Sequence, residues 1–156
     1  MVRGRPAIAA MMKCAGTWTC EVQEAQMDGT TKMTKGKEVR TEMLGGRYLK
    51  AEYEGEMGGD PFKGVAYSGF NKATKKYEMV WMSSMDTAIL FLTGTETEAG
   101  KAWEYTGSWT GPGGMKGKTR LVVRKISDNQ DVTEIYNDMG MGGEVKCLEM
   151  TYTRAK

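Results

Sequence analysis

Turn-forming residues recur along this chain at an even spacing, and this spacing restricts its fold more than any other feature. Clusters rich in glycine, asparagine, aspartate and serine run from Asp28-Gly29 to Gly142-Gly143. They divide the chain into about ten runs of roughly 8 to 12 residues, which is typical of antiparallel strands joined by hairpins. Pro61 begins a run and Pro112 lies in a turn, as strand hydrogen bonding requires. The sequence therefore predicts an all-β fold, a single antiparallel up-and-down barrel of about ten strands.

The length of 156 residues suits a single domain, residues 1–156. We expect residues 16–156 to form the barrel and residues 1–15 to form a short N-terminal helix that plugs one of its ends. This first segment has Arg3 and Arg5 before a short apolar run, as a signal peptide does, but it lacks a clear cleavage site. A cytoplasmic location is therefore favoured over export, although an exported chain whose leader had been removed would look the same.

Alternation along the runs predicts which side chains line the interior of the barrel. Residues 47–56 place Arg47, Leu49 and Tyr53 on one face, opposite a face rich in lysine and glutamate. The runs that begin near residues 76 and 101 each carry mainly aromatic side chains on one face. Arg120 is included in the lining although the pattern leaves open which face of residues 119–125 points inward. The predicted ligand-binding lining comprises Arg47, Tyr53, Tyr67, Trp81, Phe91, Trp103, Tyr105, Arg120, Glu134, Tyr136 and Tyr152.

The two ends of the chain carry a pair of residues suited to closing a barrel. Trp18 lies in the first run and Arg154 in the last. If the first strand pairs with the last, both residues reach the same rim, where a guanidinium can lie over an indole ring. The sequence therefore predicts a closure contact between Trp18 and Arg154.

Residues 87–93 are apolar on both faces, which indicates that something covers the outward face. One face carries Ile89 and Phe91, and the other carries Ala88, Leu90 and Leu92. The cover is either the N-terminal helix or a second subunit. In the second case, we expect a homodimer contact through Ala88, Leu90 and Leu92.

Three cysteines could suggest a disulfide between the first and last strands. Strand alternation opposes this pairing, because Cys20 shares a face with Trp18 and Val22, whereas Cys147 lies opposite the apolar face of its run. We expect free thiols.

The composition excludes several kinds of site. The chain has no histidine, so it lacks the usual ligand of haem and catalytic zinc and the commonest general base near neutral pH. Methionines such as Met79 and Met82 could suggest a copper site, but a spacing of three residues places them on opposite faces of a strand. Methionine is better explained as a flexible filler of a wide interior. We expect no metal and no cofactor.

The charge pattern also limits the partners of this chain. The net charge is +2, and basic and acidic residues alternate along the sequence rather than forming blocks. No apolar run approaches the ~20 residues of a membrane-spanning helix. The glycines at 111–114 lack the lysine and following helix of a phosphate-binding loop. We therefore expect a soluble protein without nucleic-acid binding or membrane insertion.

Several short motifs, in order, resemble those of a known bacterial family. The motifs are Ala15-Gly16-Thr17-Trp18, Leu44-Gly45-Gly46-Arg47-Tyr48-Leu49, Gly55-Glu56-Met57 with Pro61-Phe62-Lys63-Gly64, Gly69-Phe70, Lys76-Tyr77 with Trp81 and Ser84-Met85, and Met150-Thr151-Tyr152-Thr153-Arg154. From about Ala10 to Arg154, the chain is similar to DUF1579, a family of unknown function. Its architecture resembles the calycin barrels, which include lipocalins, fatty-acid-binding proteins and nitrobindins. Phe70, Asn71 and Ser83 depart from the family pattern, which puts carboxylate chemistry at those positions in doubt.

The favoured function is a binding module, whose interior holds a small apolar or aromatic molecule with, at most, one anionic group. Tyr152 with Arg154 resembles the arrangement that holds a ligand carboxylate in fatty-acid-binding barrels, and Arg47 and Arg120 are further candidates. No catalytic residue is assigned. Two alternatives stay open: a histidine-free isomerase or hydrolase that uses Glu134 near Tyr136, and a non-catalytic dimeric scaffold.

Overall fold

The computed structural model describes residues 4–156, with side chains from Pro6 onward. In this part of the chain, one helix precedes ten strands. The helix lies within residues 1–15, where the sequence predicts one, and residues 1–3 lie outside the described part. The elements are α1 (Gly4–Met12), β1 (Gly16–Ala25), β2 (Thr31–Met43), β3 (Tyr48–Met57), β4 (Asp60–Asn71), β5 (Lys76–Ser83), β6 (Leu90–Glu98), β7 (Ala102–Thr110), β8 (Lys116–Ser127), β9 (Gln130–Asp138) and β10 (Glu144–Arg154). A short 3-10 turn at Pro112–Gly114 joins β7 to β8. Within residues 4–156, no helix combines the length and apolar character needed to cross a membrane.

The strands form a closed barrel. Each strand pairs antiparallel with its neighbours in the chain, and β1 pairs with β10. Closure satisfies the backbone groups of the first and last strands, which would otherwise form free sheet edges. The predicted class, an all-β antiparallel barrel of about ten strands with a short N-terminal helix, is confirmed.

The two ends of the barrel differ. We call the end at which β1 begins and β10 ends the helix end, because Ala7 and Met11 of α1 pack there against a core cluster that includes Tyr77 and Leu92. We call the opposite end the far end. Its loops are residues 26–30, 58–59, 84–89, 111–115 and 139–143. A helix therefore covers one end, and only loops border the other.

Glycines on the inner face make room for aromatic rings. A Cβ atom at Gly64 would lie 2.0 Å from Cη2 of Trp81, and a Cβ atom at Gly117 would lie 2.2 Å from Cζ2 of Trp109. The ring of Tyr53 lies over Gly36 in the same way. A Cβ atom at Gly36 would lie 2.1 Å from the Tyr53 hydroxyl oxygen. These close approaches exclude any larger residue, so part of the interior is packed with rings that lie against the backbone.

Candidate functional site

A buried ion cluster occupies the interior near the helix end. Arg40, on the inner face of β2, donates from Nε to Glu38 at 2.7 Å and from Nη1 to Asp131 of β9 at 2.8 Å. The side chains of Arg40 and Glu38 are each 9% exposed, and that of Asp131 is 12% exposed. We call these three residues the Arg40 cluster. It links β2 to β9 across the inside of the barrel.

Two aromatic rings flank the guanidinium of Arg40. Its Cζ atom lies 4.2 Å from the ring centroid of Trp18 and 4.8 Å from that of Tyr152. Such cation–π contacts are stronger when the groups are shielded from water, as they are here. The cluster therefore binds together β1, β2, β9 and β10, the strands that surround the point of closure.

The predicted closure contact is present. Arg154 Cζ lies 4.4 Å from the Trp18 ring centroid, and the two residues are paired in the β1–β10 register. The Arg154 guanidinium also donates to the backbone oxygens of Ala15 at 2.7 Å, Lys13 at 2.8 Å and Asp128 at 3.1 Å. Because backbone carbonyls accept from its guanidinium, Arg154 holds the last strand to the segment that precedes β1. Its donors are therefore not free to bind an anionic ligand.

The electrostatics of the Arg40 cluster favour a structural role. Burial raises the pKa of the Glu38 carboxyl, although the Arg40 guanidinium opposes this effect. Burial by itself lowers the pKa of Arg40, but the hydrogen bond to Asp131 and the charge of Glu38 outweigh it and raise the pKa. Arg40 is therefore charged and fully engaged by two carboxylates, so it has no capacity to hold a further anion.

The half of the interior near the far end has an aromatic wall. Tyr53 and Phe62 meet edge to face with ring centroids 5.9 Å apart, and Phe62 stacks on Trp81 at 6.2 Å. The three side chains lie on the adjacent strands β3, β4 and β5. Together they present a continuous surface of ring faces and edges, which suits a flat apolar group.

Solvent reaches inward-facing side chains in this half. Ile135 lies near the middle of β9, contacts both hydrophobic clusters of the core and is nevertheless partly exposed. Its neighbours in the register are Leu121 and Leu148, and Leu148 is also partly exposed. Trp81, across the interior, has the same intermediate exposure. Partial solvent exposure therefore extends to inward-facing side chains near the middle of the barrel. We call the interior space that Ile135, Leu148 and Trp81 border, in the half near the far end, the far-end chamber.

Three buried polar atoms beside the chamber have no hydrogen-bond partner among the described residues: Tyr53 Oη, Thr34 Oγ1 and Glu24 Oε2. Tyr53 is 2% exposed and Thr34 is 7% exposed. Buried polar groups are nearly always hydrogen-bonded in folded proteins, since leaving one unpaired costs about 1–3 kcal/mol. Their side chains project from β1, β2 and β3, next to the aromatic wall.

Five of the predicted lining residues point inward: Tyr53, Trp81, Trp103, Tyr105 and Tyr152. Of these, Tyr53 and Trp81 border the far-end chamber. Trp103 and Tyr105 pack in the cluster beneath α1, and Tyr152 packs against the Arg40 cluster. A contact between any of them and a ligand stays a prediction.

The inward position predicted for the other six is wrong. Arg47 is an exposed residue of the β2–β3 turn, because β3 begins only at Tyr48, and its Nη1 donates to the Leu44 carbonyl at 3.0 Å. Arg120 points outward between inward-facing Thr119 and Leu121, and its guanidinium binds Glu144 at 2.6 Å. The remaining four outward residues are Tyr67, Phe91, Glu134 and Tyr136.

Glu134 illustrates how an exterior carboxylate can be well shielded. It is 6% exposed, accepts from Tyr136 Oη at 2.7 Å, and pairs with Arg124 and with Lys146 at 3.2 Å. The hydrogen bond from Tyr136 leads the effects that lower the pKa of Glu134. A carboxylate held ionised by three donors is a weak proton acceptor, so this pair gives little support to acid–base chemistry.

The face of β6 that points outward is the opposite of the one predicted. Leu92 is 1% exposed and Leu90 packs in the core, whereas Phe91 is 51% exposed. Ala88 lies before β6 in an exposed loop. Leu92 is buried and Leu90 is partly buried in the core, so these two residues do not form the outward apolar surface on which the predicted homodimer contact depends, and a homodimer stays a prediction. An exterior groove of about 640 Å³ instead runs past Phe91, and its lining includes Ile8, Tyr48, Tyr67 and Val80.

The cysteines are free, as expected. Cys20 points inward and is 2% exposed, and burial raises the pKa of its thiol to about 12. Cys147 is partly exposed at an irregularity in the β9–β10 register. Cys20 and Cys147 therefore lie in different surroundings.

Sequence reasoning missed the Arg40 cluster and the polar residues of the chamber. On the inner face of β2, Thr34, Gly36, Glu38 and Arg40 alternate with outward-facing residues. This face contains no apolar residue, so the pattern resembles that of a strand exposed to solvent. Burial at Thr34 and Glu38 follows from barrel closure, which alternation within one strand does not reveal.

Comparison with solved structures supports the fold. The chain is similar to an S-type phycobiliprotein lyase, CPES, from Guillardia theta, with a TM-score of 0.62 and 12% identity over 99% of this chain and 96% of that one. It is also similar to a redesigned β-barrel, with a TM-score of 0.47 and 16% identity over 95% of this chain and 96% of that one. At 12% identity, the likeness to the lyase concerns the fold alone.

Comparison of sequences identifies the family. No curated protein matches the chain. The model of DUF1579, described as a protein of unknown function, matches residues 6–154, which is nearly the whole length. The chain belongs to the DUF1579 family.

Proposed function

We propose that this protein is a binding barrel that takes a small apolar or aromatic molecule into the far-end chamber. The single observation that carries the proposal is the exposure of Ile135. An isoleucine in the middle of a strand, pointing into a barrel, is normally sealed by its neighbours. Its partial exposure supports a space in the half of the interior near the far end that reaches this residue.

The walls of this space suit the proposed ligand. The aromatic wall of Tyr53, Phe62 and Trp81 offers ring faces and edges, and Ile135 and Leu148 supply aliphatic surface opposite. Binding pockets for small molecules are commonly lined in this way, with a few polar groups that orient the ligand. A barrel of ten strands is also wider than one of eight, whose side chains are enough to fill it.

The fold comparison is consistent with this role. The similar barrel from Guillardia theta is named as a phycobiliprotein lyase. The enzyme alternative for the present chain rested on Glu134 and Tyr136, which face the exterior and are bound to each other at 2.7 Å. Binding without catalysis is therefore the function that the arrangement of side chains supports best.

The proposal is tested by narrowing the chamber mouth. Ser83 faces inward at the end of β5, opposite Gly64, so Ser83→Trp places an indole at the far end. The control is Ser108→Trp, on the exposed outer face of β7. Titration calorimetry with 2-naphthalenemethanol is expected to show binding to the wild type and to the control, and a loss of about tenfold or more in Ser83→Trp. Absence of binding to the wild type, or equal binding by both variants, would overturn the proposal.

A further inference from the structure

The chamber has a polar side as well as an aromatic one. Thr34 pairs with Val22 across the β1–β2 register, and Glu24 lies two residues beyond Val22 on the same face. Tyr53 Oη lies over Gly36, which is two residues beyond Thr34. With a step of roughly 7 Å for two residues in a strand, the three groups form one line along the inner wall. Glu24 lies nearest the far end and Tyr53 deepest.

Each of the three groups can accept a hydrogen bond, and each has an atom that lacks a partner. The unpaired atoms are Glu24 Oε2, Thr34 Oγ1 and Tyr53 Oη. The Cys20 thiol near Tyr53 is a weak hydrogen-bonding group and does not replace a partner. Carboxylate oxygens accept hydrogen bonds only, whereas hydroxyl groups can accept and donate. The Glu24 carboxylate therefore requires a donor from the ligand, and the two hydroxyl groups can also accept from one.

The charge of the interior favours a cation. Arg40 is paired with Glu38 and Asp131, so the Arg40 cluster has no excess positive charge that would attract an anion. Glu24 is a further inward carboxyl group, and no ion pair to it is found among residues 4–156. Its cross-strand neighbour Lys32 extends instead towards Gly59, with Nζ 3.7 Å from the position of a Cβ atom there.

We infer that the ligand of the far-end chamber is a small aromatic molecule that carries a protonated amine. This inference rests on the proposed function and names the ligand class for the same site. An ammonium group has three donors and no acceptor, which complements the Glu24 carboxylate and leaves donors for one neighbouring hydroxyl group. The ring system lies against Phe62 and Trp81, where a cation beside aromatic faces is also stabilised. The sequence predicts an anionic group on the ligand because of Arg47 and Arg120. Both arginines lie outside the barrel, so they give no reason to expect an anionic ligand inside it.

Three probes with the same ring and different charge test the inference. They are 2-naphthylmethylamine, 2-naphthalenemethanol and 2-naphthoate, titrated calorimetrically into the full chain near pH 7. We expect the amine to bind about tenfold or more tightly than the alcohol, and the carboxylate to bind most weakly, because a charge-assisted hydrogen bond is roughly twice as strong as a neutral one. This comparison uses the wild-type protein and does not depend on the folding of a variant.

Two variants assign the preference to Glu24. Glu24→Gln is expected to bind the amine and the alcohol with equal affinity. Glu21→Gln changes the exposed outer face of the same strand, and we expect it to bind the three probes in the same order of affinity as the wild type. If all three probes bind the wild type with similar affinity, or the carboxylate binds best, the inference is wrong and the binding barrel stands. If no probe binds, both the inference and the proposed function are wrong. An unchanged preference in Glu24→Gln also contradicts the inference.

Discussion

The guanidinium of Arg40 lies 4.2 Å from the ring centroid of Trp18, inside the barrel and beside the point where its first and last strands meet. The same indole ring receives the Arg154 guanidinium at 4.4 Å. One tryptophan therefore contacts two arginines with different tasks. Arg40 neutralises buried carboxylates, and Arg154 binds backbone carbonyls at the ends of the chain.

Arg40→Met is expected to destabilise the fold strongly. The substitution leaves Glu38 and Asp131 buried without their cation, and breaking a buried ion pair in this way typically costs about 3–5 kcal/mol. Urea denaturation followed by circular dichroism measures the free energy of unfolding. The control is Lys63→Met, whose side chain is 74% exposed, and it should cost less than about 1 kcal/mol. Similar values for the two variants would show that the buried cluster is not a stabilising link.

Arg154→Lys is expected to lower stability by about 1–3 kcal/mol. A lysine cannot donate simultaneously to three carbonyl oxygens in the planar pattern of a guanidinium, so acceptors near the helix end lose their partner. Thermal denaturation measures the loss of stability, and Arg47→Lys is the control. Arg47 is exposed in a turn and makes a single hydrogen bond to the Leu44 carbonyl, so its substitution should change stability by about 0.5 kcal/mol or less. A larger loss in Arg47→Lys than in Arg154→Lys would contradict the closure role.

Gly64→Ala is expected to displace the ring of Trp81. The three nearest atoms to a Cβ at this position all belong to the benzo ring of the indole, at 2.0, 2.5 and 2.9 Å. Overpacking of this kind typically costs about 1–3 kcal/mol. In a double-mutant cycle, Trp81→Phe should remove most of the penalty of Gly64→Ala, because phenylalanine lacks those atoms. Additive losses of unfolding free energy would mean that the two residues do not contact each other.

Glu134 is expected to make stability depend on pH in a defined direction. The hydrogen bond from Tyr136 leads the effects that hold the folded pKa of Glu134 below its ordinary value of 4.5. The ionised form is thus favoured in the folded state, and its contribution is present above about pH 4.5 and is lost as pH falls through the lowered folded pKa.

The matching measurement is the free energy of unfolding of the wild type and of Glu134→Gln between about pH 7 and pH 3. The difference between the two proteins should be largest at neutral pH and should shrink with acidification through the range in which Glu134 is protonated. Glu54→Gln, at an exposed position, serves as the control. A difference that grows on acidification would contradict the assigned direction.

Alternation predicted the inner faces of β5 and β7 because each strand carries aromatic residues on one face only. Trp81, Trp103 and Tyr105 are inward for this reason. The same argument gave the wrong face in β6, which is apolar on both faces, and in β9, where polar residues occur on both. Phe91 and Glu134 were misplaced in those two strands.

The buried polar residues could not be found from local sequence at all. Arg40 and Asp131 are separated by 91 positions, and only the closed barrel brings them together. Trp18 and Arg154 are an exception, because closure of an up-and-down barrel requires the first strand to pair with the last. Their contact was therefore predictable from the strand count, whereas the pairing of Arg40 with Asp131 depended on the tilt and register of strands across the interior.

Native mass spectrometry of the protein purified from its own host tests the central claim most directly. A binding barrel should appear as the chain plus one small molecule, which is released on denaturation and is depleted in Ser83→Trp but retained in Ser108→Trp. Detection of the bare chain alone, with identical spectra for the wild type and for both variants, would contradict the account of a ligand in the far-end chamber.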